Sequence, residues 1–394
     1  MANKNGGFIG TDGLDAPDPP TGISASGGID GVASISFTAP TDTGTSAITG
    51  FIATASDGVG ATGSSSPISV SGLTLGSAVT FRVIAQNAYG YSAPSDATSS
   101  ITPSASRGAW SGGENASGSK VNVIDYIAIA STGNATDFGD TTIGHSGGAA
   151  ASSSTRGVIQ LGDTPVGRSN VLEYVTIAST GNTTDFGDTS QTRSSIAANA
   201  NSTIGVFYGG TTGSATARMD SITIASTGNA SAFGSATVAN SACANGVCSS
   251  GTRGVFAHGE SNVMDYITFA SLGGASDFGD STVSTYGSGV VSSDTRGVFA
   301  GGDSQNVIDY ITIASTGNAT DFGDLNHSGP GKAGVCSNTR GVFGGGGAGG
   351  GDSLTNIIDY ITIASTGNAQ DFGDLTVARN FLAGGIANGH GGLQ

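Results

Sequence analysis

Cationic side chains are scarce in this 394-residue sequence, which has three lysines (Lys4, Lys120 and Lys332) and 13 Lys and Arg in all against 29 Asp and Glu. The net charge of −16 and a pI near 4.2 argue against a nucleic-acid partner, which would call for a basic face. Long hydrophobic runs are also missing. No stretch approaches the ~18 apolar residues of a membrane-spanning helix, so membrane insertion is not expected. The segment Met1–Phe8 lacks the apolar core of a secretory signal, and synthesis in a cytoplasm without general export is expected. Three cysteines, Cys243, Cys248 and Cys336, cannot make a paired framework. Cys243 and Cys248 are close enough to bridge, but two small buried thiols is the preferred reading. The four histidines, His145, His258, His327 and His390, occupy unrelated places. No nucleophile–histidine constellation or metal-ligand spacing emerges, so no catalytic residues, metal or cofactor are expected.

Glycine is abundant, with 68 residues. No every-third-residue period exists, which excludes collagen, and so much glycine, at about 1 kcal/mol per helical site, disfavours helices. Orderly Ile, Val and Phe runs exclude full disorder. An all-β fold remains. Proline divides the chain, with seven of the nine before residue 104 and only Pro165 and Pro330 after it. Residues 1–16 are Gly- and Asp-rich and read as a flexible or docking tail. Residues 17–103 hold short alternating segments at 33–37, 48–52, 68–70 and 79–85, the rhythm of a seven-stranded β-sandwich.

The wording of 17–103 resembles a fibronectin type III domain. The resemblance is carried by Pro19-Pro20, Phe37-Thr38-Ala39-Pro40, Ile48-Thr49-Gly50-Phe51, Gly72-Leu73-Thr74 and Ala85-Gln86-Asn87-Ala88-Tyr89-Gly90. Phe37 stands where the family has a core tryptophan, and Val79 where it has the corner tyrosine. Such modules serve mostly as spacers.

From Arg107 the chain repeats itself, and residues 104–394 read as one array of six units. A Ser-Thr-Gly-Asn turn or near variant places glycine at 133, 181, 228, 273, 317 and 367, at intervals of 48, 47, 45, 44 and 50. Each unit carries segments like Arg296–Gly302, Val307–Ala314 and Thr320–Asp324, then a small-residue stretch, making four short strands. Four strands in about 47 residues is the size of a propeller blade. The double glycine before an apolar strand, with an aromatic in the fourth strand, looks like the kelch repeat. Here that aromatic is phenylalanine, at 138, 186, 233, 278, 322 and 372, where kelch favours tryptophan. Unit one begins on its second strand, and Asn380–Ala387 has the length of its missing first one. A six-bladed ring closed by the C-terminal strand is therefore expected, the alternative being an open stack or a trimeric fibre stem.

Sixteen of the 29 acids recur at three repeat positions. Asp125, Glu173, Asp220, Asp265, Asp309 and Asp359 fill the first; Asp137, Asp185, Asp277, Asp321 and Asp371 the second; Asp140, Asp188, Asp280, Asp324 and Asp374 the third. Arg107, Arg156, Arg253, Arg296 and Arg340 open the second strand. Unit three has Ile204, Ala232 and Ser235 instead of the arginine and the two turn acids. This joint loss reads as structural ion pairing between the arginines and Asp137, Asp185, Asp277, Asp321 and Asp371, since losing one partner alone strands a charge. A calcium site would use the same oxygens, but no Asp-x-Asp-x-Asp-Gly loop occurs.

Unit length varies between the second and third strands (114–120, 164–169, 211–217, 346–355) and between units (144–148, 284–288, 326–332). In this strand order both loop sets open on one face, a common plan for recognition. A sandwich spacer before a repeat array, without signal or anchor, resembles virion structural proteins of tailed bacteriophages. The resemblance implies a non-enzymatic tail-fibre-like or head-surface appendage, located in the virion and homo-oligomeric there. Its partners would be other virion proteins and a host-surface glycan or protein receptor. An intracellular kelch-like scaffold and a glycan-cleaving propeller enzyme are the alternatives.

Overall fold

The computed structural model describes residues 15–241, 245–246, 248–259, 261–284, 286–303, 305–347 and 353–389. Nearly all of the expected N-terminal tail, Cys243 with its alternative bridge to Cys248, and His390 lie outside the described residues. Among these residues all regular structure is β-strand, in several antiparallel sheets with one short parallel pair, Asn245–Gly246 beside Gly289–Val290. The chain divides into two compact units, Met1–Ala105 and Ser106–Gln394.

In the first unit, strands Thr21–Gly27, Ala33–Thr38 and Ile68–Val70 form one sheet, and Gly60–Gly63, Ile48–Ala55, Phe81–Asn87 and Gly90–Tyr91 the other. Strict alternation points Ala33, Ile35 and Phe37 inward from one sheet, and Phe81, Val83 and Ala85 inward from the other, around a single core. Phe37 and Val79 are both buried there. Phe37 meets Phe51 at a ring-centroid distance of 4.7 Å.

The second unit repeats one sheet. In its second repeat, strands Ala149–Ser152, Arg156–Gln160, Val171–Thr176 and Thr184–Asp188 lie side by side in chain order. The first strand, Ala-rich in this repeat, packs on the first strands of neighbouring repeats. The second is buried on both faces, and the fourth buries chiefly its phenylalanine. In repeat one, Ala383–Ala387 pairs antiparallel with Arg107–Ser111, in the place its own chain leaves vacant. Among the described residues repeat four departs from the pattern: its sheet has three strands, Arg253–Ala257, Val263–Thr268 and Ser276–Asp280. Its inner edge is met by a single bridge, Ser249 to Gly254, with Val255 N donating to Cys248 O at 2.8 Å and Ser250 N to Arg253 O at 2.9 Å.

Successive repeats are stitched at one turn. Gly181 N donates to Phe138 O at 2.7 Å, and Thr183 N to Asp140 O at 2.9 Å. The same bonds recur down the chain, and Gly133 N to Phe372 O and Ala135 N to Asp374 O, both 2.8 Å, join the last repeat to the first. The series of contacts thus returns to its start. Glycine is required where strands and turns meet: Gly323 has φ +148°, and a Cβ there would lie 2.5 Å from the Gly367 carbonyl oxygen.

Candidate functional site

The third-strand acids are the most heavily invested polar groups of the repeat unit. Asp125, Glu173, Asp220, Asp265, Asp309 and Asp359 are all buried. A buried carboxylate must be hydrogen-bonded, and each finds its donor on the preceding repeat, just beyond the fourth strand or, for Thr237, within the longer strand Ser231–Asn240. Thr142 donates to Glu173, and Ser190 Oγ donates to Asp220 at 2.8 Å. Thr237 Oγ1 donates to Asp265 at 2.7 Å, and Thr282 Oγ1 to Asp309 at 2.7 Å. Asn326 Nδ2 donates to Asp359 at 2.7 Å, and Thr376 Oγ1 to Asp125 at 2.6 Å. The last bond runs from the sixth repeat to the first.

Charge neutralisation varies between copies. Arg379 lies 2.9 Å from Asp125 and Arg193 2.8 Å from Asp220, with all four side chains fully buried. His258 Nε2 lies 2.9 Å from Asp265, and His327 Nδ1 lies 3.2 Å from Asp359. Burial alone would raise the Asp265 carboxyl, but hydrogen bonds from His258 and Thr237 outweigh it and hold the group below the usual carboxylate range. Among the described residues no arginine, lysine or histidine forms a salt bridge with Asp309, and burial raises its carboxyl despite the Thr282 bonds. Burial likewise pushes Lys332, which donates to Gly329 O at 2.6 Å, down to about 8 against the pull of Asp359. His258, which in the sequence only replaces a turn glycine, thus partners a buried acid.

The structure does not bring the second-strand arginines and the turn aspartates together as ion pairs. Asp137, Asp185, Asp277, Asp321 and Asp371 are exposed, and among the described residues no salt bridge joins them to the arginines. Instead the guanidinium groups of Arg107, Arg156, Arg253, Arg296 and Arg340 lie over Tyr126, Tyr174, Tyr266, Tyr310 and Tyr360, 4.3–4.9 Å from the ring centroids. Each arginine also donates to a carbonyl of the following repeat, at Ile177, Ile224, Ile313, Ile363 and Ile129. An aromatic face with a carbonyl behind it holds the cation without taking a second charge out of water. The sequence carried the signal. Repeat three, which lacks the arginine, also has Ser221 in place of the tyrosine.

The variable loops gather at one end of the sheets. Glu114 pairs with Asn380, Ser146 with Asp163, and Ser194 with Thr211. Lys120 Nζ is 3.1 Å from Asp163, Ser146 Oγ donates to Glu114 at 2.9 Å, and Gly347 N to Pro330 O at 2.8 Å. Beneath them His145 is fully buried, and burial, with a smaller contribution from Arg379, brings it down to about 4. Trp110 is fully buried and donates to Ala333 O at 2.9 Å. Cys248 and Cys336 are buried free thiols; burial raises both, Cys336 to about 12. Among the described residues no group of three or more His, Cys, Asp or Glu could hold a metal ion, and no helix is long and apolar enough to cross a membrane.

No family model and no curated protein matches this chain. Among solved structures, it is similar to domains A168–A170 of titin (28% identity, 23% of this chain and 33% of that one, TM-score 0.22). It is also similar to the twitchin kinase region from C. elegans (24% identity, 23% of this chain and 17% of that one, TM-score 0.22). The chain thus spans a third or less of each, and overlaps at that score carry no functional argument.

Proposed function

We propose that this chain is a non-enzymatic display protein of a tailed-bacteriophage particle, a tail-fibre-like or head-surface appendage. In this reading residues 17–103 are a fibronectin type III-like spacer, and 104–394 are a six-bladed, kelch-like propeller that presents loops to a host-surface glycan or protein. The observation that carries it is the clustering of the length-variable loops at one end of an otherwise uniform array, held together by Lys120–Asp163 and the Glu114–Asn380 pairing. Uniform sheets supply rigidity, and a single variable end supplies recognition. The bonds from the sixth repeat to the first, at Gly133, Ala135 and Asp125, support the closed ring over an open stack. Burial of the third-strand acids against Thr, Ser and Asn donors favours structure over glycoside cleavage, which needs carboxyls open to a sugar.

The test is to locate the chain in purified particles by cryo-EM and peptide mass spectrometry. The expected result is stoichiometric presence at the tail or capsid surface. Absence from the particle overturns the proposal, and a stoichiometric intracellular protein partner in a pull-down would favour the scaffold reading.

A further inference from the structure

Repeat three breaks the pattern of its sisters at one spot. In five repeats an arginine lies over a tyrosine, the tyrosine meets the fourth-strand phenylalanine edge-on at 5.8–6.2 Å, and the guanidinium reaches a carbonyl of the next repeat at 2.9–3.2 Å. In repeat three the arginine and tyrosine positions hold Ile204 and Ser221, and the equivalent carbonyl belongs to Phe269. A cleft of about 290 Å³ there is bounded by Ile204, Ser221, Phe233 and, from repeat four, Phe269 and Leu272. Leu272 replaces the threonine found in every sister turn and is 75% exposed. Repeat six has a cleft of about 250 Å³ over the same turn, but there Arg340 and Tyr360 form part of the wall.

We propose that this cleft binds an arginine of another polypeptide, flanked there by an aromatic residue, which supplies in trans the pair that the other repeats carry in cis. Three features select that chemistry. The Phe269 carbonyl has an isoleucine opposite it where its five counterparts have a guanidinium donor. Phe233, whose counterparts meet a tyrosine, lies in a core cluster covered by Ile204 instead, and the exposed Leu272 supplies the apolar wall for a partner's aromatic. The charge is complementary: the chain carries −16, and none of the residues lining the cleft is cationic. The cleft follows strand Thr216–Thr223, whereas the variable loop 211–217 precedes it, so this inference stands apart from the loop-end reading.

The probe is the dipeptide Ac-Tyr-Arg-NH₂, titrated into the full chain by NMR or calorimetry, with Ac-Tyr-Lys-NH₂ as comparison. Saturable binding is expected, at least tenfold tighter for the arginine peptide. The double variant I204R/S221Y restores the sister sequence, is expected to melt at a higher temperature, and should lose binding at least tenfold. Leu272→Thr, an exposed change that leaves folding intact, should weaken binding several-fold. No saturable binding, equal binding of the lysine peptide, or unchanged affinity in Leu272→Thr overturns the proposal.

Discussion

Asp125 and Asp309 occupy the same place in two copies of one repeat and differ in what neutralises them. Asp125 faces a fully buried arginine, Arg379, whereas Asp309 is held by hydrogen bonds from Thr282 and the Val283 amide and has a raised carboxyl pKa. Asp125→Asn therefore leaves a buried cation without its counter-charge and should cost about 3–5 kcal/mol in chemical denaturation. Asp309→Asn removes a charge that burial already opposes and should stay within about 1 kcal/mol. His145 makes a pH prediction. Its folded pKa near 4 lies below the ordinary 6.5, so the unfolded chain takes up the proton first. Its contribution is complete above about pH 6.5 and is lost as pH falls toward 4, to the extent of about 3 kcal/mol. His145→Gln should flatten stability between those pH values in denaturant titrations, and an unchanged slope would refute the assignment. At this scale, burial of the third-strand acids was not legible in the sequence. A conserved spacing of carboxylates is equally compatible with a solvated turn, and only the neighbouring repeat supplies the donor that makes burial tolerable.

Strands were readable where side-chain size alternates and harder to read where it does not. Val, Ile and Phe mark Ala33–Thr38, Phe81–Asn87 and the second and third strands of the repeats, apart from Arg107–Ser111, where Trp110 stands in. Thr21–Gly27 and Gly60–Gly63 lack that alternation, as does the Ala-rich first strand Ala149–Ser152, which packs on the first strands of neighbouring repeats. Turn glycines divide by environment in the same way. Gly323 and Gly317 both have positive φ, +148° and +155°, but only Gly323 has a neighbour, the Gly367 carbonyl, within reach of a Cβ. Gly323→Ala should cost more than Gly317→Ala, about 3 kcal/mol against about 1 kcal/mol, since strain is then joined by a backbone clash. Thermal denaturation of the two variants gives the ranking directly, and equal losses would mean that backbone conformation alone matters.

At the level of the whole repeat unit, Ala383–Ala387 covers the edge of Arg107–Ser111. Ending the chain at Leu382 exposes that edge and the buried face of Ile386, and should turn a monodisperse protein into an associating one by size-exclusion chromatography. Ending it at Gly389 should not, because the pairing strand is retained. The period, the number of repeats, the β character and the pairing of the last strand with the first repeat all follow from the sequence, because strand periodicity and turn glycines are local properties. The tertiary structure decided which side chains answer one another. Arginine looked to the turn aspartates in one dimension and turned to tyrosine and a neighbour's carbonyl in three, because a ring and a carbonyl hold the cation at lower desolvation cost. Thr376 and Asp125 meet across 251 positions of sequence, a contact set by packing between repeats that no local pattern encodes.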